Sequence, residues 1–204
     1  MGKPTGRARW LALLRGINVG GNNVISMADL RACVEALGFA DVTTFIQSGN
    51  VLFSGPARQE RVVKTLEAGL ARRLGGEVKV VLLSPADLSR VVAEAPKGFG
   101  AAPDRYRYDV LFVRPTVSPA EVLAQVPTRP GVDAAWCGSR AVYFRRLTSR
   151  ASQSRLSKLT QLSVYREVTL RNWNSTTRLA ALLNASSSAP PSRGSRRRAP
   201  SPTA

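Results

Sequence analysis

Histidine is absent from this chain of 204 residues, and cysteine occurs only twice. Without histidine the chain can form no Ser-His or Cys-His nucleophile pair and no His-ligated metal site, and it lacks the commonest general base at neutral pH. The two cysteines, Cys33 and Cys137, lie far apart in the sequence. We expect buried thiols in a reducing compartment, and the alternative is a reactive or bridged pair.

Long apolar runs are absent as well. No stretch reaches the roughly 18 consecutive apolar residues that a transmembrane helix needs. The N-terminal string MGKPTGRARW contains no apolar segment of the kind found in a secretory signal. We therefore expect a cytoplasmic protein with no membrane partner. Apolar residues still make up 44% of the chain, which is enough to build a core.

Acidic residues are scarce relative to basic ones. The chain has 13 Asp and Glu against 30 Lys and Arg, which gives a formal net charge of +17. Residues 140–178 hold nine basic residues and one acid, and residues 185–204 hold four arginines and no acid. A positive field of this kind attracts polyanions. The alternative is an ordinary solvated basic surface.

Hydrophobic periodicity predicts alternating strands and helices in the first half. Apolar runs at 9–14 and 79–83 predict strands, and two further strands flank the turn at 48–50. Helical spacing begins at the capping residue Ser26 and recurs over 58–74. The order of elements is βαββαβ.

The second half repeats that order. RYDVLFV predicts a strand, Ser118 starts a helix, and VDAAWC and AVYFRR flank a turn. SQSRLSKLTQL, with leucines at every third position, predicts a helix, and SVYREVTLR predicts a strand. A final helix is predicted from about Ser175.

A βαββαβ unit usually folds as a four-stranded antiparallel sheet with two helices on one face. We therefore predict an α+β fold of two tandem split βαβ, ferredoxin-like halves followed by a C-terminal helix. The halves are residues 1–95 and 96–184. Each has a small core, so they should pack against one another. Residues 185–204, rich in Ser, Pro, Ala and Arg, predict a disordered basic tail.

The stretch LLRGINVGGNN, residues 13–23, is the first candidate site. Its glycines and asparagines lie between a strand and a helix, where many folds bind phosphate. It is not a Walker loop, because Asn22-Asn23 stand where Lys-Ser/Thr is required, and it is not a Rossmann GxGxxG loop. Backbone amides, Arg15 and the asparagines can still hold an anion. The alternative is that the glycines serve turns and the asparagines cap locally.

The turn QSGN is predicted at the same end of the first sheet as this loop, because strand one ends where the hairpin turns. QSGN is a hairpin turn in either case. The side-chain amides of Gln47 and Asn50 are also candidate ligand contacts. Loop and turn together then form an amide-rich polar patch beside a helix N-terminus.

Two motifs in the second half are further candidates. In SRASQSRLSKL, Arg155 and Lys158 share a helix face, which predicts either a phosphate-binding surface or an ordinary basic one. RNWN joins the last strand to the last helix. Within it, Trp173 is interpreted as a core anchor, with base stacking as the alternative. Arg171 and Asn172 are the more suggestive ligand contacts.

These strings also carry a resemblance to a known family. LLRGINVGGNN, IQSGNV, SRLSKL and VTLRNWNSTTRLAALL together resemble the bacterial family catalogued as domain of unknown function 1697. The resemblance covers roughly residues 9–184. It implies a mixed α/β protein and no established activity. Family members commonly have a Tyr-Trp pair where this chain has Tyr143-Phe144, so a Phe stands in the place of the Trp.

The leading functional hypothesis is a cytoplasmic protein that binds a phosphate-bearing ligand or nucleic acid through the Gly/Asn-rich loop and the basic second half. One alternative is an enzyme acting on a small phosphorylated or nucleotide substrate, and another is a small-ligand sensor or scaffold. No catalytic residue is assigned, and no cofactor or metal is expected. The candidate ligand-binding residues are Arg15, Asn18, Gly20, Gly21, Gln47, Ser48, Asn50, Arg155, Lys158, Arg171 and Asn172.

Overall fold

The chain folds into two antiparallel sheets with interleaved helices. The structure, a computed structural model, describes residues 7–18, 24–47 and 49–185. Within those ranges the strands are β1 (Arg7–Arg15), β2 (Ala40–Phe45), β3 (Asn50–Pro56), β4 (Lys79–Leu83), β5 (Tyr106–Val113), β6 (Asp133–Cys137), β7 (Ala141–Leu147) and β8 (Val168–Asn172). The α-helices are α1 (Met27–Ala36), α2 (Gln59–Leu74), α3 (Pro85–Ala93), α4 (Pro119–Gln125) and α5 (Trp173–Ala185).

Both sheets have the ferredoxin-like strand order. The first runs β2-β3-β1-β4 and the second β6-β7-β5-β8, and every neighbouring pair is antiparallel. In each sheet the first strand of the half lies inside and the last strand lies at an edge. The predicted α+β fold with two tandem antiparallel sheets is confirmed.

The second half departs from the prediction between β7 and β8. The α-helix predicted over SQSRLSKLTQL is wrong: three 3₁₀ segments occupy Thr148–Gln153, Leu156–Gln161 and Ser163–Glu167. A 3₁₀ helix has three residues per turn, so leucines at every third position align along one face of it more closely than along an α-helix. Two of these leucines, Leu156 and Leu159, are buried.

The predicted ends of the last two elements also shift. The strand predicted over SVYREVTLR is only β8, because residues 163–167 form the third 3₁₀ segment. The last helix begins at Trp173 instead of Ser175. A shift of two residues is common at helix ends. The predicted disordered tail, 185–204, lies outside the described residues apart from Ala185.

Local sequence signals explain where the helices begin. Ser84 and Ser118 each cap a helix that has proline in its first turn, and each forms a capping box with an acid three residues later. The Ser26 hydroxyl accepts a hydrogen bond from the backbone of Asp29 at the start of α1.

Three apolar cores lie on the sheet faces. One fills the space between the first sheet and α1 and α2, and another lies under α4 and the 3₁₀ segments of the second half. The central core is shared between the sheets, as expected for halves with small separate cores. Its members include Leu11, Leu13, Leu52, Leu88, Val110, Phe112, Tyr143 and Leu179.

Both cysteines are free thiols. Cys33 is partly buried, but Cys137 is exposed, so the expectation that both are buried is wrong for Cys137. Cys137 ends β6, an edge strand, and its side chain is not covered by the neighbouring elements.

Candidate functional site

The loop after β1 starts with two residues in left-handed conformations. Gly16 has φ +75° and Asn18 has φ +55°. The Asn18 side chain donates to the carbonyl oxygen of Ile25 at 3.0 Å and accepts from its backbone N–H at 2.8 Å. Asn18 therefore closes the base of the Gly/Asn-rich loop. Gly20 and Gly21, which were predicted to bind ligand, lie outside the described residues.

The β2–β3 turn packs against this loop. The backbone N–H of Leu14 donates to the Gly49 carbonyl oxygen at 2.8 Å. Gly49 has φ +66°, and a Cβ placed there would lie 3.0 Å from the Leu14 Cβ, so the contact needs glycine. Loop and turn thus meet at one end of the first sheet, with Gln47 exposed beside them. Ser48 lies outside the described residues.

Asn50 and Arg171 join this turn to the second half. The Arg171 Nε donates to the Asn50 Oδ1 at 2.5 Å, and its Nη2 donates to the carbonyl oxygen of Leu14 at 3.1 Å. The Asn50 Nδ2 in turn donates to the carbonyl oxygen of Phe45 at 3.0 Å, across the turn. Both side chains are buried. Through these contacts Asn50 and Arg171 link the two sheets.

Burial lowers the pKa of Arg171 to about 10. A guanidinium with that pKa still carries its positive charge at neutral pH. The charge is held close to the surface of the first sheet, where its acceptors include the carboxamide of Asn50 and backbone carbonyls.

A cavity of about 290 Å³ opens between the halves at this point. We call it the loop cavity; it is lined by Leu14, Arg15, Gly16, Ile17, Asn18, Gln47, Tyr165, Val168, Thr169, Leu170 and Arg171. The Arg15 guanidinium carbon lies 4.2 Å from the centre of the Tyr165 ring. That distance is within the range of a cation–π contact, which fixes Arg15 at the cavity wall.

Thr169 adds an unsatisfied hydroxyl to the loop cavity. Its side chain is only 3% exposed, and its Oγ1 has no hydrogen-bond partner among the residues that the structure describes. Buried hydroxyls nearly always have a partner, and leaving one without a partner costs about 1–3 kcal/mol. A ligand oxygen in the cavity is a natural partner for this group.

Asn172 lies on the other side of β8. Its Oδ1 accepts from the backbone N–H of Ser175 at 2.7 Å, so it caps α5. It also lines a second cavity, of about 350 Å³, together with Asp109, Arg146 and Trp173. Burial raises the pKa of Asp109, and the nearby guanidinium of Arg146, at 3.3 Å, opposes that rise.

Arg155 and Lys158 lie away from the loop cavity. Both are exposed, and the backbone N–H of Arg155 donates to the Asp133 Oδ2 at 2.9 Å. Asp133 belongs to β6, the edge strand opposite β8. The predicted residues therefore fall into three places. Arg15, Asn18, Gln47 and Arg171 line the loop cavity, and Asn172 lines the second cavity. Arg155 and Lys158 lie near the far edge of the second sheet.

A larger cavity, of about 920 Å³, lies between α2 and the loop after β5. Its central guanidinium, Arg114, forms ion pairs with Glu67 at 3.1 Å and Glu167 at 3.2 Å. Arg140, on the same wall, lies 3.8 Å from the carboxylate of Asp87. Because these cations are already neutralised inside the protein, we place the candidate site at the smaller loop cavity.

Tyr165 and Thr169 were missed by the sequence reasoning. Tyr165 was assigned to a strand because SVYREVTLR alternates, whereas it lies in a 3₁₀ segment that turns its ring towards Arg15. For Thr169 a signal was present. Thr169 and Arg171 are two residues apart in a strand, so they face the same side of the sheet.

The chain belongs to the family described as "Protein of unknown function (DUF1697)", whose pattern matches residues 8–143. The match contains the Gly/Asn-rich loop and the β2–β3 turn. It ends before β8, so Tyr165, Thr169 and Arg171 lie beyond it.

A solved structure with the same fold is titled "The structure of conserved bacterial protein SP0830 from Streptococcus pneumoniae". The two chains share 26% sequence identity with a TM-score of 0.75, over 87% of this chain and 99% of that one. No curated protein matches the chain. None of these relatives carries a stated ligand or reaction, so any function must be argued from the site.

In the part of the chain that the structure describes, no helix is long and apolar enough to cross a membrane. Within the same residues, no three His, Cys, Asp or Glu side chains are grouped closely enough to hold a metal ion.

Proposed function

We propose that this protein binds a small phosphate-bearing molecule in the loop cavity, between its two halves. The observation that carries the proposal is the convergence of a positively charged side chain, Arg15, and a buried hydroxyl without a partner, Thr169, on one cavity beside the glycine loop. A phosphate oxygen accepts hydrogen bonds from both kinds of group.

The electrostatics of the cavity favour an anion. Arg15 and Arg171 contribute positive charge to its wall, and no carboxylate is among the described residues that line it. Gln47 adds an amide donor at the rim, and the Tyr165 ring adds an apolar surface for the organic part of a ligand. A volume of about 290 Å³ fits a phosphate group with a small organic moiety better than a polymer.

Residues around the loop cavity hold its walls in place. Asn18 holds the base of the loop, and Arg171 with Asn50 holds the two halves at a fixed separation. A site built in this way is preorganised, because its walls need little rearrangement when a ligand enters. The free thiols fit a reducing compartment, and we propose that the protein acts in the cytoplasm.

The test is a calorimetric titration with inorganic phosphate and with adenosine monophosphate. Arg15→Gln should weaken binding of at least one probe by about tenfold, because a charge-assisted hydrogen bond contributes roughly 1.5–3 kcal/mol. Arg73→Gln, at an exposed position on α2, removes the same charge far from the cavity and should bind as the wild type does. Equal affinity of Arg15→Gln and wild type, or no binding of either probe, contradicts the proposal.

A further inference from the structure

One end of the second sheet is strongly basic. It is formed by the first residues of β5 and the last residues of β7, which pair with one another. We call it the basic end; its arginines are Arg105, Arg107, Arg145, Arg146 and Arg150. Arg155 lies at the same end, because its backbone bonds to Asp133, whose partner across the strands is Arg146.

Two of these arginines oppose each other directly. Arg107 of β5 and Arg146 of β7 are partners in the antiparallel register. Like charges in directly opposite positions destabilise a sheet. Arg146 is also flanked by two carboxylates, Asp109 at 3.3 Å and Asp133 directly opposite it on β6, and its Nε has no hydrogen-bond partner among the described residues. This face of the sheet therefore carries charges of both signs.

Aromatic rings are interleaved with the arginines. The Arg145 guanidinium carbon lies 4.2 Å from the centre of the Tyr106 ring and 5.5 Å from that of Trp136. The Arg105 guanidinium carbon lies 5.1 Å from the Tyr106 ring centre. Both rings are partly exposed, and Trp136 also packs against the central core. Tyr106, Arg145 and Trp136 share one face of the second sheet, whereas Arg107 and Arg146 point to the opposite face.

We infer that the basic end binds single-stranded nucleic acid, with Arg105 and Arg145 on phosphates and with the Tyr106 and Trp136 rings as stacking surfaces for bases. Proteins that bind single strands combine a positive surface with aromatic platforms in this way. A duplex keeps its bases stacked inside and offers nothing to such rings, so the rings favour a single strand. RNA and DNA share this chemistry.

This surface is separate from the loop cavity and does not depend on it. The residues lining the loop cavity come from the end of β1, the β2–β3 turn and the segment 165–171. Arg105, Tyr106 and Arg145 are not among them.

The experiment measures binding of the full chain to fluorescent 12-nucleotide oligouridine, oligothymidine and a 12-base-pair duplex by anisotropy, at several salt concentrations. Tyr106→Leu should weaken binding of a single strand by about 5- to 100-fold, the range of one lost stacking contact, and leave duplex binding unchanged. Tyr106→Phe keeps the ring and should retain the wild-type affinity. Arg105→Gln should reduce the slope of log affinity against log salt by about one.

The variant Arg72→Gln on α2 controls for the change in total charge. Tyr106→Leu removes no charge, so a loss of affinity in this variant does not come from weaker attraction to another basic segment of the chain. The proposal is overturned if Tyr106→Leu and Arg105→Gln both bind the single strands as tightly as the wild type does. It is also overturned if the duplex binds as tightly as the single strands, or if no oligonucleotide binds. Arg15→Gln should leave oligonucleotide binding unchanged, which separates this site from the loop cavity.

Discussion

Arg171 and Asn50 are 121 positions apart in the sequence and in direct contact through a buried hydrogen bond from the Arg171 Nε to the Asn50 Oδ1. Arg171 belongs to the last strand of the second sheet, and Asn50 begins the third strand of the first. The contact therefore connects the turn QSGN to the motif RNWN. It fixes the separation of the two halves at the point where the loop cavity opens.

Replacement of Asn50 by Ala should destabilise the protein by roughly 2–4 kcal/mol, because it leaves a buried guanidinium without its side-chain acceptor. Urea denaturation measures the change. Asn184→Ala is the matched control, since Asn184 is exposed and its bond to Ser89 lies at the surface. A loss no larger for Asn50→Ala than for Asn184→Ala contradicts the structural role of the contact.

Thr169→Val should separate stability from binding at the loop cavity. Valine keeps the shape of the side chain and removes a buried hydroxyl that has no partner, so the free energy of unfolding of the free protein should stay the same or rise by about 1 kcal/mol. Binding of the phosphate probes should weaken at the same time. A variant that loses stability and keeps its affinity shows that the hydroxyl has a partner within the protein.

Gly100→Ala should be far more damaging than Gly98→Ala. Both residues have positive φ, +87° and +76°. An added Cβ at Gly100 would lie 2.3 Å from the Trp173 Nε1, whereas nothing lies within 4 Å at Gly98. We expect a cost of about 1 kcal/mol for Gly98→Ala from the backbone alone, and at least twice that for Gly100→Ala. The melting temperatures of the two variants, measured by thermal unfolding, test this difference in cost. Equal melting temperatures would count against the packing of Trp173 on Gly100.

Asp109 should titrate above its ordinary pKa of 3.8, because burial disfavours its charged form. Arg146→Gln removes the largest opposing charge and should raise the pKa of Asp109 further, as followed by carboxyl ¹³C NMR. With the folded pKa raised, the folded state binds the proton more tightly than the unfolded state. The contribution of Asp109 to stability is therefore greatest below pH 3.8 and falls as the pH rises through its folded pKa. A pKa at or below 3.8 in the wild type would contradict the claim that burial outweighs the charges of Arg146 and Arg107 at this carboxyl.

The fold was predictable from the sequence where the pattern was local. The strand at 79–83 and the helix over 58–74 agree with β4 and α2 within a residue, because uninterrupted apolar runs and clear helical spacing mark them. The segment between β7 and β8 was not predictable in this way. Leucines at every third position fit two kinds of helix, and only packing against the second sheet decides between them.

The site was predictable in part. Strand order alone places the loop after β1 beside the β2–β3 turn, and the contact between Leu14 and Gly49 agrees with that. Which face of the second half would meet this loop depends on how the sheets pack, and no local pattern encodes that packing. The sequence therefore indicated Arg15 and Gln47 but could not pair them with Tyr165 and Thr169.

The most direct test of the proposed site is an NMR titration of the isotopically labelled full chain with adenosine monophosphate. We predict saturable shifts in the backbone amides of Gly16, Gln47 and Thr169 and in the Arg15 side-chain Nε–H, and their loss in Arg15→Gln. Amides at the basic end, such as Arg146, should shift little. Shifts confined to the basic end, or no saturable shift near the loop cavity, would contradict the claim that the two halves form a phosphate-binding site between them.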